Sequence, residues 1–187
     1  MADSNIELLA GVAVALGDLR ERFVFLGGCA TALLITDPAA PPVRATHDVD
    51  AVVAIVSLAE YHRLGNALRA RGFSQTVAEG EPPYRWTIGG MKLDVLPTDE
   101  AVLGFSSRWY SAAMRTAVTV SLRRGLDIRL VTPAYFIATK LDAFADLVAD
   151  EGFLNALPGL IVEGSPAVRA PVVLERLRTI AAMGQAR

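Results

Sequence analysis

The chain has 187 residues, enough for one domain or one domain with a small helical appendage, and its 52% hydrophobic content suits a packed core and argues against disorder. A formal net charge of −2 gives no global attraction to nucleic acid or anionic lipid, and no stretch reaches the ~18 uncharged apolar residues of a membrane span. The single cysteine, Cys29, excludes an intramolecular disulfide and a cysteine-based metal site; the acidic, polar start Met1-Ala2-Asp3-Ser4 lacks the pattern of a secretory signal, so a cytoplasmic location is expected.

Ser4 and Glu7 read as a capping box opening a helix over about 5–20, with Ile6, Leu8, Leu9, Val12 and Leu16 on its apolar side. Phe23-Val24-Phe25-Leu26 is a short apolar strand ending at Gly27-Gly28, and Cys29 to Ile35 predicts a short helix. Pro38, Pro41 and Pro42 make 37–46 a loop. Val49 to Val56 has the valine-rich, continuously apolar look of a strand buried on both faces. Ser57 and Glu60 form a second capping box for a helix to about Arg71, closed by Gly72, and a strand is predicted from Phe73 to Val77. Tyr84 to Ile88 and Met91 to Leu96 flank Gly89-Gly90 as a β-hairpin. Thr116 to Leu122 and Leu126 to Val131 read as a further strand pair. Thr132-Pro133 opens a helix to about Ala149, and a last helix is expected over about 168–183. There is no internal repeat. The order predicts an α/β (α+β) fold with a mixed sheet and flanking helices over 1–131, and a C-terminal helical region, 132–187, packed on it.

The chemistry concentrates in Thr46-His47-Asp48-Val49-Asp50-Ala51-Val52-Val53. Strand side chains alternate, so Asp48 and Asp50 project from one face. Asp94 stands in a second apolar strand, Met91-Lys92-Leu93-Asp94-Val95-Leu96; if the strands are neighbours, about 4.8 Å apart, its carboxylate joins the other two. Clustered carboxylates repel in a medium of low dielectric, and a hard divalent cation removes the conflict. Magnesium suits such a site, and two ions can clamp the attacking and leaving oxygens of a displacement at phosphorus. In that scheme Asp48 and Asp50 hold metal and triphosphate, while Asp94 holds the second ion and helps deprotonate an acceptor hydroxyl. Gly27-Gly28, between a strand and a helix, lets backbone N–H groups approach phosphate.

Leu26-Gly27-Gly28-Cys29-Ala30, then Arg44-x-Thr46-x-Asp48-Val49-Asp50, then Lys92-Leu93-Asp94-Val95 resemble the DNA polymerase β-like nucleotidyltransferases, and more narrowly the AbiEii-type enzymes, the toxin halves of bacterial toxin–antitoxin pairs. The resemblance covers about residues 20–150 and includes Thr132-Pro133 with Ala138-Thr139-Lys140-Leu141. It implies transfer of a nucleotide from an NTP, with magnesium, to a hydroxyl acceptor, often RNA and tRNA in the toxin branch, and a cognate antitoxin as partner. Asp48, Asp50 and Asp94 would be the catalytic acids and metal ligands. Gly27, Gly28 and Lys140 would meet the phosphates, and Arg44 and Thr46 would line the entrance. The chain departs from the family in a longer, proline-rich spacer between Gly28 and Asp48. Asp146-Leu147-Val148-Ala149-Asp150-Glu151 also stands where a Lys-Asp cluster is usual, and the C-terminal part is short.

Three rivals share these residues: a non-catalytic nucleotide- or partner-binding module of the same fold, metal-dependent phosphoester hydrolysis, and nucleotidyl transfer to a small molecule such as an aminoglycoside. Residues 104–131 hold five arginines (Arg108, Arg115, Arg123, Arg124, Arg129) against one acid, Asp127, which favours an anionic acceptor. Trp109-Tyr110, beside Arg108, is a candidate for stacking on a base, whereas Trp86 suits the core. Cys29 reads as a small buried residue, and His47 and His62 as loop and helix-surface residues.

Overall fold

The computed structural model describes residues 4–37, 39–75 and 82–149. The chain divides into two compact units, Met1–Phe136 and Ile137–Arg187. The first is built on a mixed six-stranded sheet: β1 (Phe23–Leu26), β2 (Asp48–Val53), β3 (Arg85–Ile88), β4 (Met91–Pro97), β5 (Val118–Arg123) and β6 (Leu126–Leu130), in the spatial order β3-β4-β2-β1-β6-β5. β2 pairs with β4 in parallel and with β1 antiparallel, β1 runs parallel to β6, and the hairpins β3–β4 and β5–β6 close the two edges.

Alternation assigns the two faces. Phe23, Phe25, Val49, Ala51, Val53, Leu93, Val95 and Trp86 pack into one buried cluster with Leu9, Val12, Ala13 and Leu16 of α1 (Ser4–Leu16) and Tyr61, Leu64 and Leu68 of α2 (Leu58–Arg69). The intervening residues Val24, Leu26, Val52 and Leu96 form a second cluster with Ala113 and Met114 of α4 (Tyr110–Thr116) and Val131. Tyr84, Phe105, Tyr110, Tyr135 and Phe136 lie against it. The central strand β1 is buried at all four positions, which is why it carries no polar residue. Full burial of one such Phe or Leu contributes roughly 1.5–3 kcal/mol.

Local signals explain most of the elements and correct others. Ser57 caps α2, accepting from the Glu60 N–H at 3.3 Å, while Glu60 Oε2 accepts from the Val56 N–H at 3.0 Å. Ser4, by contrast, is itself helical in α1 rather than its cap. α1 stops at Leu16, because Gly17 is a poor helix former, and 3-10 turns over Gly17–Arg22 continue the path. The helix expected after Gly28 is also 3-10, Gly28–Leu33, and β2 ends at Val53 rather than Val56. Of the strand expected over 73–77, the described part is a single bridge between Ser74 and Thr87. α3 (Glu100–Leu103), capped by Asp99, and α4 were not anticipated; both are too short to show helical periodicity. α5 runs Pro133–Ala149, as Thr132-Pro133 predicts, and the helix expected over 168–183 lies outside the described residues.

Candidate active site

Asp48 and Asp50 project from the face of β2 that also presents Val52, at the end of the sheet where β2 and β4 begin. The parallel register sets Asp50 opposite Asp94 and Asp48 opposite Lys92. Asp50 also faces Leu26, the last residue of β1 before Gly27. The three aspartates thus meet on one face, as the period of two requires. Asp94 is buried; Asp48 and Asp50 are half-buried.

Each acid is held by residues from a different element. Thr46 Oγ1 donates to Asp48 Oδ1 at 2.8 Å. The segment before β2 is pinned by Asn5, a buried amide on α1: Asn5 Nδ2 donates to the Arg44 carbonyl at 3.0 Å, and Asn5 Oδ1 accepts from the Thr46 N–H at 3.0 Å. Asp50 packs against Gly27, whose φ of +78° and missing side chain leave room for it; a Cβ there would lie 1.8 Å from Asp50 Oδ2. Asp94 accepts two bonds from the Arg85 guanidinium, Nε to Oδ1 at 2.8 Å and Nη2 to Oδ2 at 2.7 Å, and the same Nη2 reaches Asp48 Oδ2 at 3.2 Å.

The oxygen donors have the chemistry of a hard-cation site. Among the described residues, however, no three His, Cys, Asp or Glu side chains converge as they would on a bound ion, and both Asp94 oxygens are engaged by Arg85. As they stand, the carboxylates supply oxygen donors suited to magnesium without converging as a filled site would. Gly28 lies under Thr46, and the turn after it is a six-residue 3-10 segment, too short for a sizeable macrodipole.

The remaining expected residues lie as follows. Arg44 is exposed and contributes its carbonyl to Asn5, and Thr46 is half-buried beside Asp48. Lys140 is exposed on α5, within the second unit. Trp109 precedes α4, and its ring stands 6.2 Å from that of Tyr135, tilted by 52°. Arg123 and Arg124 occupy the β5–β6 turn, at the end of the sheet away from the aspartates, and Arg129 is spent on the Met114 and Glu21 carbonyls. Arg123 and Arg124 thus lie away from the aspartates, and Arg129 is engaged by backbone.

Four neighbours of the acids escaped sequence reasoning: Arg85, Lys92, Tyr84 and Asn5. The signal for Arg85 was present, since a two-residue turn at Gly89-Gly90 necessarily sets residue 85 opposite 94. Tyr84 stacks edge-on against Phe105, with centroids 4.9 Å apart, and its hydroxyl pKa is raised, first by burial and then by the Asp94 charge. Cys29 is fully buried; burial, with the nearby Asp50 charge, pushes its thiol up to about 12, so it is inert at neutral pH.

No known family profile matches the chain, and no curated protein matches it in sequence. Among solved structures, it is similar to the crystal structure of an antigenic nucleotidyltransferase-like protein from Paracoccidioides brasiliensis, over 97% of this chain and 87% of that one, with a TM-score of 0.52 and 20% identity. The solution structure of the antibiotic-resistance factor ANT(2″)-Ia aligns over 100% of this chain and 94% of that one, with a TM-score of 0.49 and 13% identity. The mixed six-stranded sheet with its flanking helices is thus a fold that this chain shares with the Paracoccidioides brasiliensis structure.

Proposed function

We propose that the chain is a metal-dependent nucleotidyltransferase that moves an NMP from an NTP to a hydroxyl acceptor. The observation that carries this reading is the meeting of Asp48, Asp50 and Asp94 on one sheet face, with Asp50 and Asp94 in direct register beside Gly27. In this reading residues 1–131 are the catalytic domain and 132–187 a helical region, and the protein works in the cytoplasm. Asp48, Asp50 and Asp94 are the residues that would hold magnesium, two ions when the site is full. When bound, magnesium neutralises the triphosphate and polarises the reacting oxygens. The Gly27 and Gly28 backbone lies against the phosphates, with Arg44 and Thr46 at the entrance. Asp94 takes the proton of the acceptor hydroxyl as the new O–P bond forms at the α-phosphorus and the bond to pyrophosphate breaks.

The acceptor class has two readings. The resemblance to AbiEii-type enzymes favours RNA, tRNA included, and with it a cognate antitoxin. The position of Arg123 and Arg124 at the far end of the sheet, with Arg129 engaged by two backbone carbonyls, favours a small-molecule hydroxyl instead. Incubation with each α-labelled NTP and Mg²⁺, in parallel with total RNA and with an aminoglycoside panel, separates them. Label on either acceptor class, absent in Asp48→Ala and Asp94→Ala, supports transfer and names the class. NTP binding without transfer to any acceptor supports the non-catalytic module, and failure to bind NTP contradicts the nucleotidyltransferase reading.

A further inference from the structure

Arg85 stands where the site's own chemistry calls for a metal. Its fork grips both oxygens of Asp94, at 2.8 and 2.7 Å, and Nη2 bridges onward to Asp48 Oδ2 at 3.2 Å. The grip is withdrawn from water: the Asp94 side chain is 6% exposed and that of Arg85 19%, against 36% for Asp48. A guanidinium keeps its charge at any physiological pH, and its planar fork matches a carboxylate with two parallel bonds. The oxygens it uses are the ones a divalent cation would need. An ion arriving alone must break a buried two-bond pair between Arg85 and Asp94, which is costly. An ion arriving with a nucleotide brings a triphosphate, and phosphate is the other anion that the arginine fork fits.

We propose that Arg85 is a resident counter-cation that competes with divalent metal for Asp94 and Asp48, so that metal is held firmly only when it enters together with the nucleotide. Arg85 is thus a positioning residue that sets the order of binding. It offsets the mutual repulsion of Asp48 and Asp94 before nucleotide binds, and it turns to the triphosphate when Asp94 is needed. The proposal rests on the nucleotidyltransferase reading of the site and adds a role that none of the three aspartates can fill.

The test is a titration of the full chain with Mn²⁺ alone, read by the electron paramagnetic resonance of the free ion, for wild type, Arg85→Gln and Arg85→Lys. The titration is then repeated with a non-hydrolysable NTP analogue present. Without nucleotide, Arg85→Gln binds Mn²⁺ about tenfold or more tighter than wild type, the size of an ordinary coupling between sites. Arg85→Lys, which keeps the charge but loses the fork, falls between them. The analogue tightens Mn²⁺ strongly in wild type and much less in Arg85→Gln. Mn²⁺ also raises the melting temperature of Arg85→Gln by more than that of wild type, an effect a merely structural ion pair would not produce. If Arg85→Gln does not fold, the same comparison rests on Arg85→Lys. Variants that bind Mn²⁺ no tighter than wild type, while wild type binds it with the analogue, overturn the role of Arg85 alone. Absence of Mn²⁺ binding in every chain, with and without the analogue, overturns the metal-dependent reading together with the proposal.

Discussion

Gly27 and Gly28 are adjacent but bear different constraints. A Cβ at Gly27 would meet Asp50 at 1.8 Å, on a backbone at φ +78°, whereas one at Gly28 would meet only the Thr46 side chain at 3.3 Å. Gly27→Ala should therefore lose about 1–2 kcal/mol from the backbone conformation alone, plus the displacement of Asp50, and with it most activity. Gly28→Ala should fold nearly as well but bind NTP more weakly; urea melts and the KM for NTP separate the two. Asn5→Ala leaves the Arg44 carbonyl and the Thr46 N–H without their partner, at a cost of about 1–3 kcal/mol, and loosens the support under Asp48. Cys29 should resist iodoacetamide in the native protein and react in urea. Its folded pKa of about 12 lies above the ordinary 9.0, so the unfolded chain releases that proton first. The contribution is intact below pH 9 and is lost as the pH rises from 9 toward 12, a decline that Cys29→Ala should lack.

At the scale of elements, the β3–β4 hairpin decides the site. Gly89 and Gly90 both have positive φ, +54° and +81°, the pattern of a tight two-residue turn whose twist matches the strands, and it fixes Arg85 against Asp94. Gly90→Val should cost about 1–2 kcal/mol and, by disturbing the register, depress nucleotide transfer, while Gly89→Asn should be tolerated in both. Ser57→Ala should destabilise α2 by about 0.5–2 kcal/mol without touching transfer, since its bond is to the Glu60 N–H. Much of this was legible in the residues. The period of two put Asp48 and Asp50 on one face, and apolar runs on both sides of Asp94 marked a neighbouring strand. Two things were not legible. The parallel pairing of β2 with β4 is a long-range choice that no local pattern encodes, and the role of Asn5 depends on α1 lying against residues 44–46. α3 and α4 were missed because four and seven residues span too few turns for an apolar stripe to declare itself.

For the whole molecule, the two faces of the sheet divide the labour. One is sealed by α1 and α2 over a continuous apolar cluster; the other is apolar at Val24, Val52 and Leu96 and turns acidic where β2 and β4 begin. No described helix is long and apolar enough to cross a membrane. The fold is shared with a nucleotidyltransferase-like structure at 20% identity, so the reaction must be judged from the aspartates themselves. The most direct measurement is Mg²⁺-dependent release of pyrophosphate from an NTP with an accepted hydroxyl acceptor, compared across wild type, Asp48→Asn, Asp50→Asn and Asp94→Asn. Each variant should keep its fold by circular dichroism and lose at least about a hundredfold in rate, the scale expected when a general base is removed. Release that survives in any two of the three folded variants, or that does not depend on a divalent ion, would contradict the account.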